Sequence, residues 1–203
     1  MATKGILLVG GRGTRLLPLT ETTPKPMLKV AGVPFTLHQL LKAKAAGISE
    51  IVLATSFMAE VFEPYFGDGS KFGIKIHYAV EQEALGTGGA IKNARNILDL
   101  EPGDSVVIFN GDVLSGHDLA GQISFHHREK SAVTLYLTEV SDARAFGCVP
   151  IDEQGNVTAF LEKMENPVTN LINAGCYIFD TSVFPLIPDG MVVSVERETF
   201  PKI

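Results

Sequence analysis

Runs of apolar residues with the length of a strand recur in the first part of the chain. They cover residues 5–9, 50–54 and 105–109, and almost every position in them is apolar. Such runs predict strands that are buried on both faces, as in a parallel sheet. Segments with helical spacing, at 36–46 and 89–98, separate them. Strands that alternate with helices predict an α/β fold with a Rossmann-like sheet, mixed but mostly parallel and flanked by helices.

Shorter predicted strands with mixed alternation follow after about residue 130. They span 132–138, 148–151, 157–161 and 172–179, and a hairpin turn is predicted around Gly155-Asn156. Mixed alternation is typical of antiparallel or mixed pairing. We therefore predict a single domain, in which the second half adds antiparallel or mixed strands over the first.

Composition narrows the class of protein. The 203 residues are 45% hydrophobic and 20% charged, which fits a globular chain with a sizeable core and excludes disordered and collagen-like proteins. No apolar stretch approaches the roughly 18 residues that a membrane span needs, so no membrane partner is expected. Cys148 and Cys176 lie in apolar surroundings, and no secretory leader is recognisable. These features predict reduced, buried thiols in a cytoplasmic protein.

Charge is distributed unevenly in this acidic chain, whose formal net charge is -6. Residues 1–49 hold seven Lys or Arg and one acid, whereas the remainder holds ten Lys or Arg and 22 acids. The first quarter is therefore basic and the rest is acidic. Such asymmetry indicates a local anion-binding site, although a solvated charged face would give the same pattern.

The densest motif follows the first predicted strand. Residues 10–15 read GGRGTR, and Pro-Lys-Pro follows at 24–26. Glycines directly after a buried strand let backbone amides approach an anion closely, because glycine adopts positive φ and has no β-carbon. Arg12, Arg15 and Lys25 supply cationic donors around the same loop. The motif therefore predicts a cradle for a triphosphate.

Two standard phosphate-binding motifs do not fit this loop. The dinucleotide fingerprint G-x-G-x-x-G would start at Gly11 and Gly13 but meets Leu16 where its third glycine belongs. The Walker-type sequence G-x-x-x-x-G-K-[ST] is absent. A tight turn with surface arginines is the alternative interpretation, and the added Thr-Arg and Pro-Lys-Pro elements argue against it.

A carboxylate follows the third apolar run. Asp112 comes after residues 105–109 through Asn110-Gly111, which places it at the carboxyl end of a parallel strand, where open α/β sheets bind ligands. A carboxylate there suits Mg²⁺, which is held by one or two carboxylates together with phosphate oxygens and water. The alternative is a loop aspartate that caps the predicted helix at 118–128.

Histidines and nucleic acids are not expected to take part in the chemistry. The five histidines have no metal-ligand spacing with one another or with the cysteines. The basic residues of the first quarter are interrupted by glycine and proline in a loop, instead of lying along a helix or stripe, so we predict no nucleic-acid partner.

The order of these motifs resembles that of the sugar-1-phosphate nucleotidyltransferases. Their signature GGxGTRLxPLT, followed by PKP, matches GGRGTRLLPLT and PKP in this chain. Further landmarks of that family follow in the expected order at 81–82, 85–89, 110–112, 146–149, 160–163 and 173–175. The resemblance covers nearly the whole chain and implies the nucleotide-diphospho-sugar transferase type of fold.

The resemblance also implies a reaction. The phosphate of a sugar 1-phosphate would attack the α-phosphorus of a nucleoside triphosphate and expel pyrophosphate, with Mg²⁺ as cofactor. Within the family, the chain looks most like the subgroup that transfers guanylyl from GTP to mannose 1-phosphate in GDP-mannose biosynthesis, and family members are commonly homo-oligomers. The alternatives are thymidylyl or uridylyl transfer to glucose 1-phosphate, and a regulatory relative that binds a sugar nucleotide without making it.

Site residues are implied by the same resemblance. Arg15 would bind the leaving phosphates, Lys25 the α-phosphate, Asp112 the metal ion and Lys163 the attacking sugar phosphate. The implied nucleotide contacts are Gly10, Gly11, Gly13, Thr14, Gln82 and Gly88. The implied sugar contacts are Gly147, Glu162 and Asn173.

The chain departs from the family pattern at one point. The family carries a second metal-binding aspartate in a Trp-x-Asp-x-Gly-Thr-Pro type of segment, and the chain contains no Trp. We therefore expect residues 1–203 to be a catalytic domain truncated at its C-terminal end. We also expect this piece alone to bind Mg²⁺ weakly and to turn over slowly or not at all.

Overall fold

A mixed sheet is the centre of the computed structural model, which describes residues 1–161 and 163–203. The strands of the protein are β1 (Thr3–Leu8), β2 (Lys29–Val30), β3 (Val33–Pro34), β4 (Glu50–Thr55), β5 (Lys75–Val80), β6 (Ser105–Asn110), β7 (Val133–Glu139) and β8 (Leu171–Asp180). Two of them, β2 and β3, form a separate two-stranded ribbon, and the other six form the mixed sheet. The order of the six-stranded sheet is β5-β4-β1-β6-β8-β7. The four strands from β5 to β6 are parallel, and β8 pairs antiparallel with both β6 and β7.

Helices cover both faces of the sheet. The α-helices are α1 (Phe35–Ala45), α2 (Glu63–Phe66), α3 (Gly86–Arg95) and α4 (Leu119–Glu129). Short 3-10 turns include Thr14–Leu16 and Lys25–Met27, and a π-helical turn spans Val195–Thr199.

Two apolar cores account for the continuous apolar strands. Leu7 of β1 belongs to a core that includes Leu40 of α1, whereas its neighbour Ile6 belongs to another that includes Ile91 of α3. Successive residues in a strand point to opposite faces of the sheet, so a strand between two helix layers must be apolar at every position. The alternation of strands and helices therefore predicted this architecture correctly, and the α/β fold class is confirmed.

The second half of the chain differs in detail from its prediction. The predicted strands at 132–138 and 172–179 correspond to β7 and β8, but they extend the first sheet at its β6 edge instead of lying over it. The predicted strands at 148–151 and 157–161 are reduced to isolated bridges, Cys148 with Leu161 and Ile151 with Val157. The second bridge closes the hairpin turn predicted around Gly155-Asn156.

Two findings bear on the compositional predictions. Cys148 and Cys176 are both buried free thiols, as predicted, and burial raises the pKa of the Cys176 thiol to about 12. Among the described residues, no helix is both long enough and apolar enough to cross a bilayer.

His126 gives the fold a testable pH dependence. Its side chain is buried on α4, and its Nδ1 lies 2.8 Å from Thr134 Oγ1. Burial, reinforced by neighbouring His127, lowers its pKa to about 4. Between about pH 6.5, the ordinary pKa of histidine, and pH 4, His126 binds a proton in the unfolded chain but stays neutral in the folded one. The free energy of unfolding therefore falls on acidification through this range, by up to about 1.4 kcal/mol per pH unit.

Urea unfolding between pH 4.5 and 7.5 measures this slope. His126→Gln keeps a hydrogen-bonding group but cannot titrate, so the variant should show a shallower acid slope than the parent protein. Parallel slopes for the two proteins would contradict the assignment of the slope to His126.

Candidate functional site

The glycine loop at the end of β1 is shaped by its neighbours. The carbonyl of Gly10 accepts a hydrogen bond from Ser56 Oγ at 2.5 Å, and a β-carbon on Gly10 would lie 2.5 Å from that same oxygen. Gly13 adopts a φ of 60°, and its carbonyl accepts a hydrogen bond from the buried Thr20 hydroxyl at 3.0 Å. A β-carbon on Gly13 would lie 2.8 Å from Lys25 Cβ. The loop therefore folds back so that Pro-Lys-Pro lies against it.

The exposed part of this loop carries the predicted phosphate-binding groups. Gly11 is exposed, and a β-carbon built there would meet no heavy atom within 4 Å among the described residues. Thr14 and Arg15 lie on the exposed 3-10 turn that follows. The guanidinium of Arg12 lies over the ring of Phe57, 5.6 Å from its centroid. This surface presents backbone and guanidinium groups outward, as an anion cradle requires.

Lys25 and Asp112 meet at the carboxyl edge of the sheet. Lys25 Nζ lies 2.8 Å from Asp112 Oδ2, and the two side chains are 32% and 45% exposed. They come from loops that follow β1 and β6, which are adjacent parallel strands. A cation and a carboxylate separated by 87 residues are thus brought together beside the glycine loop.

The turn that holds Asp112 is fixed by a close backbone approach. The amide of Gly111 donates to the carbonyl of Leu8 at 2.9 Å, and a β-carbon on Gly111 would lie only 2.1 Å from that oxygen. Asp118, and not Asp112, caps α4, because its Oδ1 accepts a hydrogen bond from the amide of Gly121. The alternative role considered for Asp112, that of a helix cap, is therefore wrong.

A buried amide contacts the same turn and was missed by sequence reasoning. Gln39 lies on α1, and its Nε2 donates to the carbonyls of Asn110 and Val113, both at 2.8 Å. The only sequence signal is a polar residue on a helix face that is otherwise apolar, and such a signal does not say what the residue contacts.

The predicted nucleotide contacts after β5 lie in two environments. Gln82 is exposed, whereas Gly88 is buried at the first turn of α3. The amide of Gly88 donates to the carbonyl of Val193, and β-carbons on Gly86 and Gly89 would collide with the backbone of Val193 and Met191. These glycines thus have a packing reason to be glycine. Beside them, burial raises the pKa of the Glu81 carboxyl, which accepts a hydrogen bond from the amide of Leu85.

The predicted sugar contacts lie on segments that pair with one another. Cys148, next to Gly147, forms bridges with Leu161 and with Ile172, the neighbour of Asn173. Asn173 Oδ1 accepts a hydrogen bond from the amide of Gly175 at 3.1 Å. Lys163 is exposed. Glu162 lies outside the described residues.

The histidines lie in other kinds of contact than metal ligation in the part of the chain that the structure describes. Within residues 1–161 and 163–203, no group of three or more His, Cys, Asp or Glu side chains is placed to hold a metal ion. His117 belongs to a polar network with Lys42 and Ser115, and burial lowers the pKa of both His117 and Lys42. This network ties α1 to the segment after Asp112.

A glycine loop and a carboxylate at the carboxyl edge of a mostly parallel sheet are typical of an α/β protein that binds a phosphorylated ligand. A family model described as nucleotidyl transferase matches residues 4–199. The chain therefore belongs to the nucleotidyl transferase family, in agreement with the resemblance in its sequence motifs.

Individual relatives are similar over nearly the whole chain. It is 54% identical over 198 residues to a mannose-1-phosphate guanylyltransferase of Mycobacterium tuberculosis, a match that covers 98% of this chain and 54% of the relative. It is 38% identical over 200 residues to the catalytic subunit beta of a mannose-1-phosphate guanylyltransferase of Drosophila pseudoobscura pseudoobscura, covering 98% of this chain and 53% of that protein. The chain thus spans about half the length of these curated relatives.

A solved structure supports the same grouping. The crystal structure of HddC from Yersinia pseudotuberculosis complexed with GMP-PN superposes with a TM-score of 0.80 at 28% identity. The match covers 100% of this chain and 87% of that one.

Proposed function

We propose that the protein transfers guanylyl from GTP to mannose 1-phosphate, giving GDP-mannose and pyrophosphate. The observation that carries the proposal is the apposition of Lys25 and Asp112, 2.8 Å apart, beside the exposed glycine loop. The reaction must bring two polyanions together. This arrangement places cationic side chains, exposed backbone of the glycine loop and a carboxylate at one edge of the sheet. The 54% identity to a mannose-1-phosphate guanylyltransferase and the GMP-PN complex of HddC support the choice of substrates.

The proposed chemistry needs positioning and charge neutralisation instead of a covalent intermediate. An oxygen of the sugar phosphate attacks the α-phosphorus of GTP, and the bond from that phosphorus to the β-phosphate bridging oxygen breaks. Arg15 on its exposed turn would bind the pyrophosphate that leaves, since a guanidinium holds phosphate oxygens bidentately. Lys25 would neutralise the charge that develops at the α-phosphate.

Asp112 fits the role of a magnesium ligand. Its Oδ2 accepts from Lys25, whereas its Oδ1 makes no hydrogen bond to the described residues. A half-exposed carboxylate with one oxygen available matches the single or paired carboxylates that hold Mg²⁺ together with phosphate oxygens and water. When bound, Mg²⁺ would neutralise charge on the phosphates. Asp112 would hold the ion at the carboxyl edge of the sheet, where Lys25 also lies.

The sugar phosphate would bind at segments other than the glycine loop. Lys163 would hold the attacking phosphate, and the segments around Gly147 and Asn173 would contact the sugar. Their pairing through Cys148 and Ile172 supports this assignment, because it groups them independently of the nucleotide loop. The reduced thiols Cys148 and Cys176 support a place in the cytoplasm.

A matrix of substrates tests the proposal. We expect pyrophosphate release from the full-length protein with GTP and mannose 1-phosphate to exceed, by at least about tenfold in kcat/KM, that with ATP, UTP or dTTP, or with glucose 1-phosphate. A preference for dTTP or UTP with glucose 1-phosphate would contradict the proposed substrates. Binding of GDP-mannose without any turnover would instead identify a regulatory protein.

A further inference from the structure

Helix α1 carries two buried polar side chains on one face. Thr36 is fully buried and Gln39 is 3% exposed. Residues three apart in a helix are neighbours on its surface, so the two side chains form one polar strip within an apolar face. Buried polar groups are costly unless they are hydrogen bonded, which makes their partners informative.

Thr36 binds the segment that carries Lys25. Its hydroxyl donates to the carbonyl of Pro26 at 2.8 Å, directly after Lys25 in the chain. Because the hydroxyl is buried, no water competes for this carbonyl, and the hydrogen bond fixes the backbone at the base of the Lys25 side chain.

Gln39 binds the turn that carries Asp112. The two carbonyls that accept from its Nε2 belong to Asn110 and Val113, so they lie on either side of Asp112. The orientation of the amide is fixed, because a rotated amide would direct its own oxygen at two carbonyl oxygens. Neither end of the turn can move without breaking one of these hydrogen bonds.

The Lys25–Asp112 pair cannot fix its own geometry. Both side chains are substantially exposed, and exposed ion pairs contribute little to stability. Transfer between phosphates is nevertheless sensitive to displacements of about 1 Å. The restraint must therefore come from the buried groups beneath the pair.

We infer that Thr36 and Gln39 are positioning residues, which set the placement of Asp112 and its bound metal ion relative to Lys25. This inference rests on the proposed function, and it extends that function to a helix that contributes no group to the reacting phosphates. The two residues can be tested separately, because Thr36 contacts the segment that carries Lys25 and Gln39 contacts the turn that carries Asp112.

The test uses Gln39→Met, which keeps the length of the side chain and removes its donors. Gln122→Met is the matched control: Gln122 is another helical amide that reaches two backbone carbonyls, of Thr134 and Cys176, but it makes no hydrogen bond to residues 110–113 and contacts the following segment only through His117. Thr36→Val removes the second anchor, and Thr36→Ser restores its hydroxyl.

In the full-length protein we expect Gln39→Met to raise the half-saturating Mg²⁺ concentration and to lower kcat, each by about tenfold, as for other groups that orient metal ligands. Thr36→Val should lower kcat without the same change in Mg²⁺ dependence, and Thr36→Ser should restore it. Gln122→Met, with a similar melting temperature, should leave both quantities unchanged. If the role of Gln39 were merely structural, Gln39→Met and Gln122→Met would change kcat and the half-saturating Mg²⁺ concentration to the same extent.

Two readouts do not depend on turnover. Mn²⁺ binding, followed by electron paramagnetic resonance with a non-hydrolysable GTP analogue, should weaken in Gln39→Met and not in Gln122→Met. Hydrogen exchange at the amides of Gly111 and Val113, which donate to Leu8 and Asn110, should accelerate in Gln39→Met alone. Equal exchange and equal Mn²⁺ affinity in both variants would overturn the inference. An inactive parent protein would overturn the proposed function, and hydrogen exchange would still decide whether Gln39 holds the turn.

Discussion

Replacing Asp112 with Asn will lower kcat for pyrophosphate release by at least about a thousandfold in the full-length protein, corresponding to several kcal/mol of lost charge stabilisation. Asn has the same shape, and its amide oxygen can still accept from Lys25, which now pairs with Asp112 at 2.8 Å. The turn should therefore keep its geometry, so the loss of activity can be assigned to the missing negative charge. The measurement is pyrophosphate release at saturating GTP and mannose 1-phosphate over a range of Mg²⁺ concentrations.

Asp118→Asn is the matched control for this substitution. Asp118 lies six positions further along the same segment and caps α4 through Gly121. Asn is as good an N-cap as Asp, so this variant should match the parent in kcat and, within about 0.5 kcal/mol, in stability. If Asp112→Asn and the parent protein had equal activity, Asp112 would have no role in the reaction.

Gly111→Ala will destabilise the fold by about 3 kcal/mol, which is at the upper end of the usual cost of overpacking. The added β-carbon would lie 2.1 Å from the carbonyl of Leu8. That carbonyl belongs to a central strand and cannot retreat without disturbing the pairing of β1 with β6. Because the same residue supports Asp112, activity should be lost together with stability. Urea unfolding gives the free energy, and pyrophosphate release gives the activity.

Gly11→Ala provides the contrast, because no described atom lies within 4 Å of its β-carbon. Its free energy of unfolding should stay within about 0.5 kcal/mol of that of the parent. The KM for GTP should nevertheless rise, since the methyl group occupies space that the triphosphate needs. A stable Gly111→Ala, or a Gly11→Ala with unchanged nucleotide affinity, would contradict the division of these glycines into one for folding and one for binding.

The parallel half of the fold was predictable from the sequence for a physical reason. A strand between two helix layers has no solvated face, so β1, β4 and β6 are apolar almost throughout and are recognisable without any partner. β5 lies at the edge of the sheet, and its exposed Lys75 and Val80 obscure the pattern. It was not predicted.

Features that depend on distant contacts were less accessible. The segment at 148–161 alternates like a strand, but only single residues of it find a partner, and a local pattern does not report pairing. The glycines at the start of α3 suggested a ligand, whereas they also fit closely against Met191 and Val193. The role of Gln39 could not be predicted, because its partners are carbonyls of the 110–113 turn and the position of that turn relative to α1 is known only from the structure. For Lys25 and Asp112, in contrast, the sequence predicted the loops that carry them, and the pairing of β1 with β6 in the structure brings these two loops together.

The contact between α3 and the 193–196 segment has a consequence for the order of folding during synthesis. Thr87 donates to Glu196, 109 residues later in the chain. At about 5–20 residues per second, the ribosome delivers the second partner some 5–20 s after the first. Until then the amide of Gly88 lacks its Val193 partner. Early intermediates should therefore leave the first turn of α3 open to proteases.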